Sequence, residues 1–138
     1  VQHANVGTIT EKIIDDCIDE LLVDSSLDSV IPSYAKAEYH SYRGKRTVNG
    51  LMLPFVESAG KVSANRQDLP DCLFFDQSIW ALRRDAINDP QGQFPWPCMG
   101  QRIKSYITSG CFDLHSLEDV KITEDWIAAN GVKPPDFP

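Results

Sequence analysis

The chain has 138 residues, enough for one modest domain with one core. Its hydrophobic fraction of 42% and charged fraction of 24% are ordinary for a soluble globular protein, and its net charge of −7 argues against a broad nucleic-acid surface. No apolar run approaches the roughly 20 residues needed to span a bilayer, so neither a nucleic acid nor a membrane is expected as a partner.

The N-terminal Val1-Gln2-His3-Ala4-Asn5 reads as the end of a strand and its loop, with neither the basic nor the long apolar region of a signal peptide. A chain starting there implies that earlier strands are missing. Thr8-Ile9-Thr10-Glu11 opens a helix, with Thr8 and Glu11 at capping-box spacing. Ile13, Ile14, Cys17, Ile18, Leu21 and Leu22 recur at helical spacing between Asp15, Asp16, Asp19 and Glu20, the pattern of an amphipathic helix lying on a sheet. Leu27–Ile31 reads as a buried strand ended by Pro32.

Residues 33–70 differ in character. Tyr34, Tyr39 and Tyr42 mix with Lys36, Arg43, Lys45 and Arg46, and Asn49-Gly50 signals a hairpin turn before Leu51–Val56. Pro54 demotes that strand to an edge or an irregular arm. The segment reads either as an extended excursion from the core or as a surface meander. Cys72–Leu82 is apolar enough for one central strand, which Arg83–Ile87 closes. Residues 88–101 form a loop rich in Pro and Gly, and Ile103–Ile107 is a further strand.

Gly110–Glu124 holds the densest signal. It places Asp113 at the end of an apolar strand, beside a helix opened by Ser116 with Asp119 in capping-box relation. Carboxylates at such a strand mouth are well placed to hold a divalent metal against a phosphate. An ordinary strand–turn–helix with a solvated acidic turn reads equally well. The helix runs from about Leu117 to Ala129, with Gly131 as C-cap before Pro134. Cys17, Cys72, Cys98 and Cys111 form no C-x-x-C pair, which points to reduced thiols and a cytoplasmic protein rather than zinc or a disulfide framework.

Five motifs fall in one order. Gln2–Thr8 before the acidic helix resembles a "Q-P-T-S-P-L-R" loop, and Asp28-Ser29-Val30 a following "D-S-V" strand. Asn65–Pro70 resembles "R-R-Q-D-L-P", Phe75–Trp80 stands where "P-N-G-A-I-Y" is found, and Asp113–Asp119 stands at "D-I-D-T-x-x-D". This order resembles the acylneuraminate cytidylyltransferases, which make CMP-sialic and related nonulosonic acids; the Kdo-activating branch is a near relative. The resemblance covers only the family's C-terminal half. Its nucleotide-holding "P-A-R-G-G-S-K-G-I" loop has no counterpart here.

The resemblance implies an α/β fold, Rossmann-like and of the glycosyltransferase-A nucleotidyltransferase type. It implies one partial domain over 1–138, with a core at 1–32 and 71–131 and a dimerisation arm at about 33–70. It implies a homodimer, Mg2+ as cofactor, and CTP and a 2-keto-3-deoxy sugar acid as reactants. Gln2 aligns with a Gln that binds the acyl-sugar, and Arg66 with a basic residue reaching the sugar site across the dimer. Phe94, with Trp96, lies where the family lines its acyl-group pocket. Asp113 and His115 stand at the two acidic metal positions, and Asp113 is the expected catalytic residue. His115 departs from the pattern, because magnesium prefers oxygen ligands. Asp76-Gln77 replaces the Asn-Gly pair, and His3 replaces a Pro. His3 and His115 also read as hydrogen-bonded structural histidines, and Arg66 as a partner of Asp68. The isolated chain is expected to be inactive. A non-catalytic dimerisation or sugar-binding module is the alternative.

Overall fold

The computed structural model describes residues 1–36, 39–57 and 60–131. Helix α1 spans Glu11–Val23, and its N-cap is Thr10, whose side chain accepts the Ile13 N–H at 3.4 Å. The cap expected at Thr8 is therefore corrected by two residues. Thr8 is buried, and its hydroxyl accepts the Phe112 N–H at 3.3 Å instead. A distant backbone donor that needs a partner has claimed the side chain that local spacing assigned to the helix.

The inner face of α1 places Cys17 and Leu21 in a core with Leu27, Val30, Ile79 and Ala81, flanked by Ile9, Ile13, Ile14 and Tyr106. Full burial of an aliphatic side chain of this size stabilises by about 1.5–3 kcal/mol. No basic residue stands in the last turn of α1. Arg83 supplies that charge from across the fold. Its guanidinium donates to the Leu27 carbonyl at 2.7 Å, to the Asp24 carbonyl at 3.1 Å and to the Leu21 carbonyl. A cation there satisfies orphan carbonyls and complements the helix dipole.

Strand β1, Ser29–Ala35, is buried from Ser29 to Ser33 and does not stop at Pro32. The Pro32 carbonyl accepts the Asp76 N–H at 3.0 Å. A strand residue's N–H and C=O face the same side, so the missing proline donor also faces the point where β4, Leu73–Phe75, ends. The other edge of β1 pairs in parallel with β6, Ile103–Ile107, from Ser29↔Ile103 to Ser33↔Ile107. Strand β5, Ala81–Leu82, pairs antiparallel with Ser29 and Val30. The fold is mixed α/β with a mixed sheet of order β4-β1-β5, β6 also pairing with β1.

The single strand expected over Cys72–Leu82 is broken into β4 and β5 by a turn at 76–80, where Gln77 takes a φ of 60°. Arg84–Ile87 forms one helical turn, α2. Asp28 binds the 100–102 loop through Oδ2, which accepts the Gln101 and Arg102 N–H groups at 2.8 Å each. Gly100, at φ 78°, lies so close that an added Cβ would stand 2.3 Å from the Asp28 side chain. Helix α3, Leu117–Asn130, has the expected Ser116–Asp119 capping box and Gly131 in the left-handed C-cap conformation. Pro134, expected beyond that cap, lies outside the described residues.

The chain divides into two compact units, 1–33 with 75–138, and 34–74. Within the second unit, β2, Lys45–Val48, and β3, Leu51–Pro54, form a hairpin. Asn49 and Gly50 both have positive φ, 51° and 79°, as the two-residue turn requires. Every residue of both strands is exposed. No helix among the described residues is long and apolar enough to cross a membrane.

Candidate active site

The N-terminal segment lies along two later loops of its own unit. Val1 and Trp80 exchange both backbone hydrogen bonds at 2.8 Å, and Gln2 bridges antiparallel to Ile79. Val6 then bridges antiparallel to Asp113, and the Leu114 N–H donates to the Asn5 carbonyl at 2.8 Å. Asp113 therefore sits on an isolated bridge beyond the end of β6, not at the end of a continuous strand. Glycine 110, at φ 96°, lies in the connection. Three residues on, Ser116 caps α3, so Asp113 stands before a helix N-terminus as expected.

Both carboxylate oxygens of Asp113 are engaged. The Asn5 side-chain amide donates to Oδ1, and His115 Nε2 lies 2.8 Å from Oδ2. Asp113 is about one third exposed and His115 largely exposed, so the pair meets solvent. Asp119 binds the turn between them and α3, its Oδ2 accepting the N–H groups of His115 at 2.9 Å and Ser116 at 2.7 Å. The His115 backbone donor, then the Ser116 hydroxyl and N–H, hold the Asp119 carboxyl below its ordinary value.

Asp76 is the buried acid behind this loop, only 3% exposed. Its Oδ1 accepts the Ser78 N–H at 3.0 Å and the Ser78 hydroxyl, and its Oδ2 accepts the Thr108 hydroxyl at 2.7 Å. The Cys111 thiol donates to the Asp76 carbonyl. Burial, with the charges of Asp76 and Asp113, pushes that thiol up to about 12. Beside this network runs a chain of rings: His3 against Trp80 at 4.8 Å, Trp80 against Trp96 at 5.9 Å, and Trp96 against Phe75 at 5.6 Å. His3 Nε2 and Trp80 Nε1 are buried without a hydrogen-bond partner among the described residues.

The sequence-derived site residues separate as follows. Asp113 and His115 meet. Gln2 shares their unit but lines a hollow of about 620 Å3, with Ile14, Ile18, Leu22 and Trp80, in which Asp113 has no part. Phe94 is 85% exposed and stands outside the ring chain that its neighbour Trp96 joins. Arg66 belongs to the second unit, exposed on a 3-10 turn at Arg66–Asp68 and without an ion pair among the described residues. The expected Arg66–Asp68 pair does not form, because Asp68 accepts from the Ser63 hydroxyl at 2.7 Å and the Asn65 amide at 3.4 Å. Sequence reasoning missed Asn5 and Thr108, which are recognisable only by what they touch. It flagged Asp76 only as a departure from a pattern.

Among the described residues, no group of three or more His, Cys, Asp and Glu side chains is placed to hold a metal ion. All four cysteines are free thiols. No family model matches the chain, and no curated protein matches its sequence.

Proposed function

We propose that this chain is the C-terminal part of a Rossmann-like nucleotidyltransferase of the glycosyltransferase-A type, which transfers CMP from CTP to a nonulosonic, sialic-type sugar acid. One observation carries the reading. The two motifs that the resemblance puts at the reacting centre, the Gln2–Thr8 loop and the Asp113–Asp119 turn, are hydrogen-bonded to each other through Asn5 and Asp113. Gln77 adds support: it takes a left-handed φ of 60° at the position where the resembling pattern has glycine.

In this reaction the anomeric oxygen of the sugar acid bonds to the α-phosphorus of CTP. The bond from that phosphorus to pyrophosphate breaks, and the hydroxyl proton is lost to water. Magnesium is commonly bound through one or two carboxylates together with substrate phosphates and water. In that arrangement Asp113 would be the protein's oxygen ligand, and His115 would offer nitrogen. When bound, the ion supplies charge neutralisation on the phosphates. Asn5 and His115 orient the Asp113 carboxylate, and Asp76 with Thr108 and Ser78 braces the backbone behind it. Arg66 grips the sugar-acid carboxylate, a geometry that guanidinium matches with two parallel hydrogen bonds. The partner copy of a homodimer brings it to the site. The reaction also needs a Gly-rich phosphate loop, which these residues do not contain, so it is assigned to the complete enzyme.

Pyrophosphate release from CTP by the complete enzyme, across a panel of nonulosonic acids, tests the reading. Magnesium-dependent turnover with at least one acid is expected; its absence with all of them overturns the assignment. A second reading, a non-catalytic dimerisation or sugar-binding module, is favoured by the engagement of both Asp113 oxygens within the protein. It gains if the complete protein binds a sugar acid without releasing pyrophosphate.

A further inference from the structure

Strand β5 has one occupied edge and one open edge. On the occupied side Ala81 stands opposite Val30, and the Arg83 N–H donates to the Asp28 carbonyl at 2.8 Å. Backbone groups of successive strand residues point to opposite edges. Leu82, between Ala81 and Arg83, therefore turns its N–H and C=O away from β1. Trp80, two residues earlier, points the same way, and there Val1 meets it with both hydrogen bonds at 2.8 Å. Among the described residues, no backbone hydrogen bond reaches Leu82 on that side. The ladder that joins Gln2 to Ile79 and Val1 to Trp80 thus stops just short of the next bonding position. Beside that position lies the hollow of about 620 Å3, walled by Leu82 and Arg83 and by Ile14, Ile18 and Leu22 of α1. Leu22 is 72% exposed and Ile18 44%, although both belong to the apolar stripe of the helix. A sheet edge with unpaired backbone groups, next to bare aliphatic side chains, is a template for another strand.

We propose that this edge and hollow seat an extended apolar strand, the one that runs into Val1 in the complete enzyme. The inference rests on the reading above, which makes this chain the C-terminal part of a longer enzyme. What it adds is a register. The antiparallel count that sets Gln2 against Ile79 and Val1 against Trp80 continues without a break. The residue joined to Val1 then opposes Ala81, the second residue before Val1 opposes Leu82, and the third opposes Arg83. Bonded and non-bonded pairs alternate along an antiparallel ladder. The second residue is therefore the one that exchanges both hydrogen bonds with Leu82. Directly opposed residues share a face of the sheet, and Ala81 packs in the core with Cys17 and Leu21 of α1. The first and third residues before Val1 accordingly turn their side chains to α1, fill the hollow over Ile18 and Leu22, and are apolar.

Hydrogen exchange and urea unfolding of the complete enzyme test the seat. The Leu82 amide is expected to be protected by about a hundredfold or more over an open amide, at every protein concentration. Leu22→Lys is expected to lower the urea midpoint by on the order of 1 M, because it removes a covered aliphatic side chain. Val23→Lys is the control: Val23 is 85% exposed and has no part in the hollow, so its midpoint is expected to stay nearly unchanged. Free exchange at Leu82, or equal midpoints for the two variants, overturns the proposal. So does a polar side chain at both the first and the third position before Val1. Protection that appears only as concentration rises assigns the edge to a second copy and overturns it as well. If Leu22→Lys does not fold, wild-type exchange at Leu82 decides alone. Pyrophosphate release judges the underlying reading separately: a protected Leu82 in an enzyme without turnover keeps the strand and removes the chemistry.

Discussion

The Asn5 side-chain amide donates to Oδ1 of Asp113, joining the first loop of the chain to the turn before its last helix, 108 residues away. His115 holds the other oxygen at 2.8 Å. On the proposed reading, this fixes the direction of the carboxylate. Asp113→Asn in the complete enzyme is expected to lower kcat by about a hundredfold, as for loss of a main stabiliser of transition-state charge. Asn5→Ala should lower it less, since it frees the carboxylate without removing it. Steady-state pyrophosphate release at saturating magnesium checks both. An unchanged Asp113→Asn rate refutes the role.

The start of α3 rests on the Ser116–Asp119 capping box. Ser116→Ala is expected to cost about 1 kcal/mol, read as a lower urea midpoint at unchanged slope. Asp119 makes this pH-dependent. Its folded carboxyl is held below the ordinary value, chiefly by the His115 backbone donor. The stability it contributes is therefore complete above the unfolded value of about 4 and is lost as pH falls through the lower folded value. The midpoint difference between wild type and Asp119→Ala should shrink below about pH 4. A difference that does not change with pH shows that the carboxylate charge has no part in it.

Gln77 holds a φ of 60° without being glycine. Left-handed backbone costs a residue with a Cβ about 1 kcal/mol. Gln77→Gly is expected to raise stability by up to about 0.5 kcal/mol, because glycine's extra unfolded-state entropy offsets much of the relieved strain. Thermal and urea unfolding measure it directly, and a destabilised variant would mean that the Gln77 side chain has a role of its own.

The thiols of Cys17 and Cys111 are pushed up to about 11 and about 12, by burial first and then by nearby carboxylates, Asp16 and Asp76 for the one and Asp76 and Asp113 for the other. Because the thiolate is the nucleophile, both should resist alkylation at about pH 8 in the native protein. The half-buried Cys72 and Cys98 should be modified first. Peptide mass spectrometry after brief iodoacetamide treatment distinguishes the four sites. Early modification of Cys111 would show that its loop opens readily.

The hairpin of β2 and β3 exposes Leu51, Met52 and Leu53, with no third strand among the described residues. A lone two-stranded hairpin is marginal in water, and an apolar patch of this kind marks a partner surface. A homodimer that buries more than about 1,000 Å2 through this arm is expected. Sedimentation at micromolar concentration should give a dimer, and Leu51→Asp with Met52→Lys should give a folded monomer. A wild-type monomer at those concentrations defeats the arm reading.

Local chemistry made part of this protein legible from its residues. The stripe from Ile13 to Leu22, the Asn49-Gly50 turn, the Ser116–Asp119 box and the Gly131 cap each depend on groups within a few positions of one another, so spacing alone predicts them. Asp113's place before a helix N-terminus belongs with these. Partners far along the chain decided the rest. Thr8 leaves its expected cap for the Phe112 N–H, the apolar run 72–82 breaks at Gln77 into two strands that both pair with β1, Arg83 binds the Leu21 carbonyl of a helix 62 residues upstream, and Asp113 finds Asn5. Each buried donor and acceptor must find a partner, and which one lies within reach is set by how the segments pack rather than by their own residues.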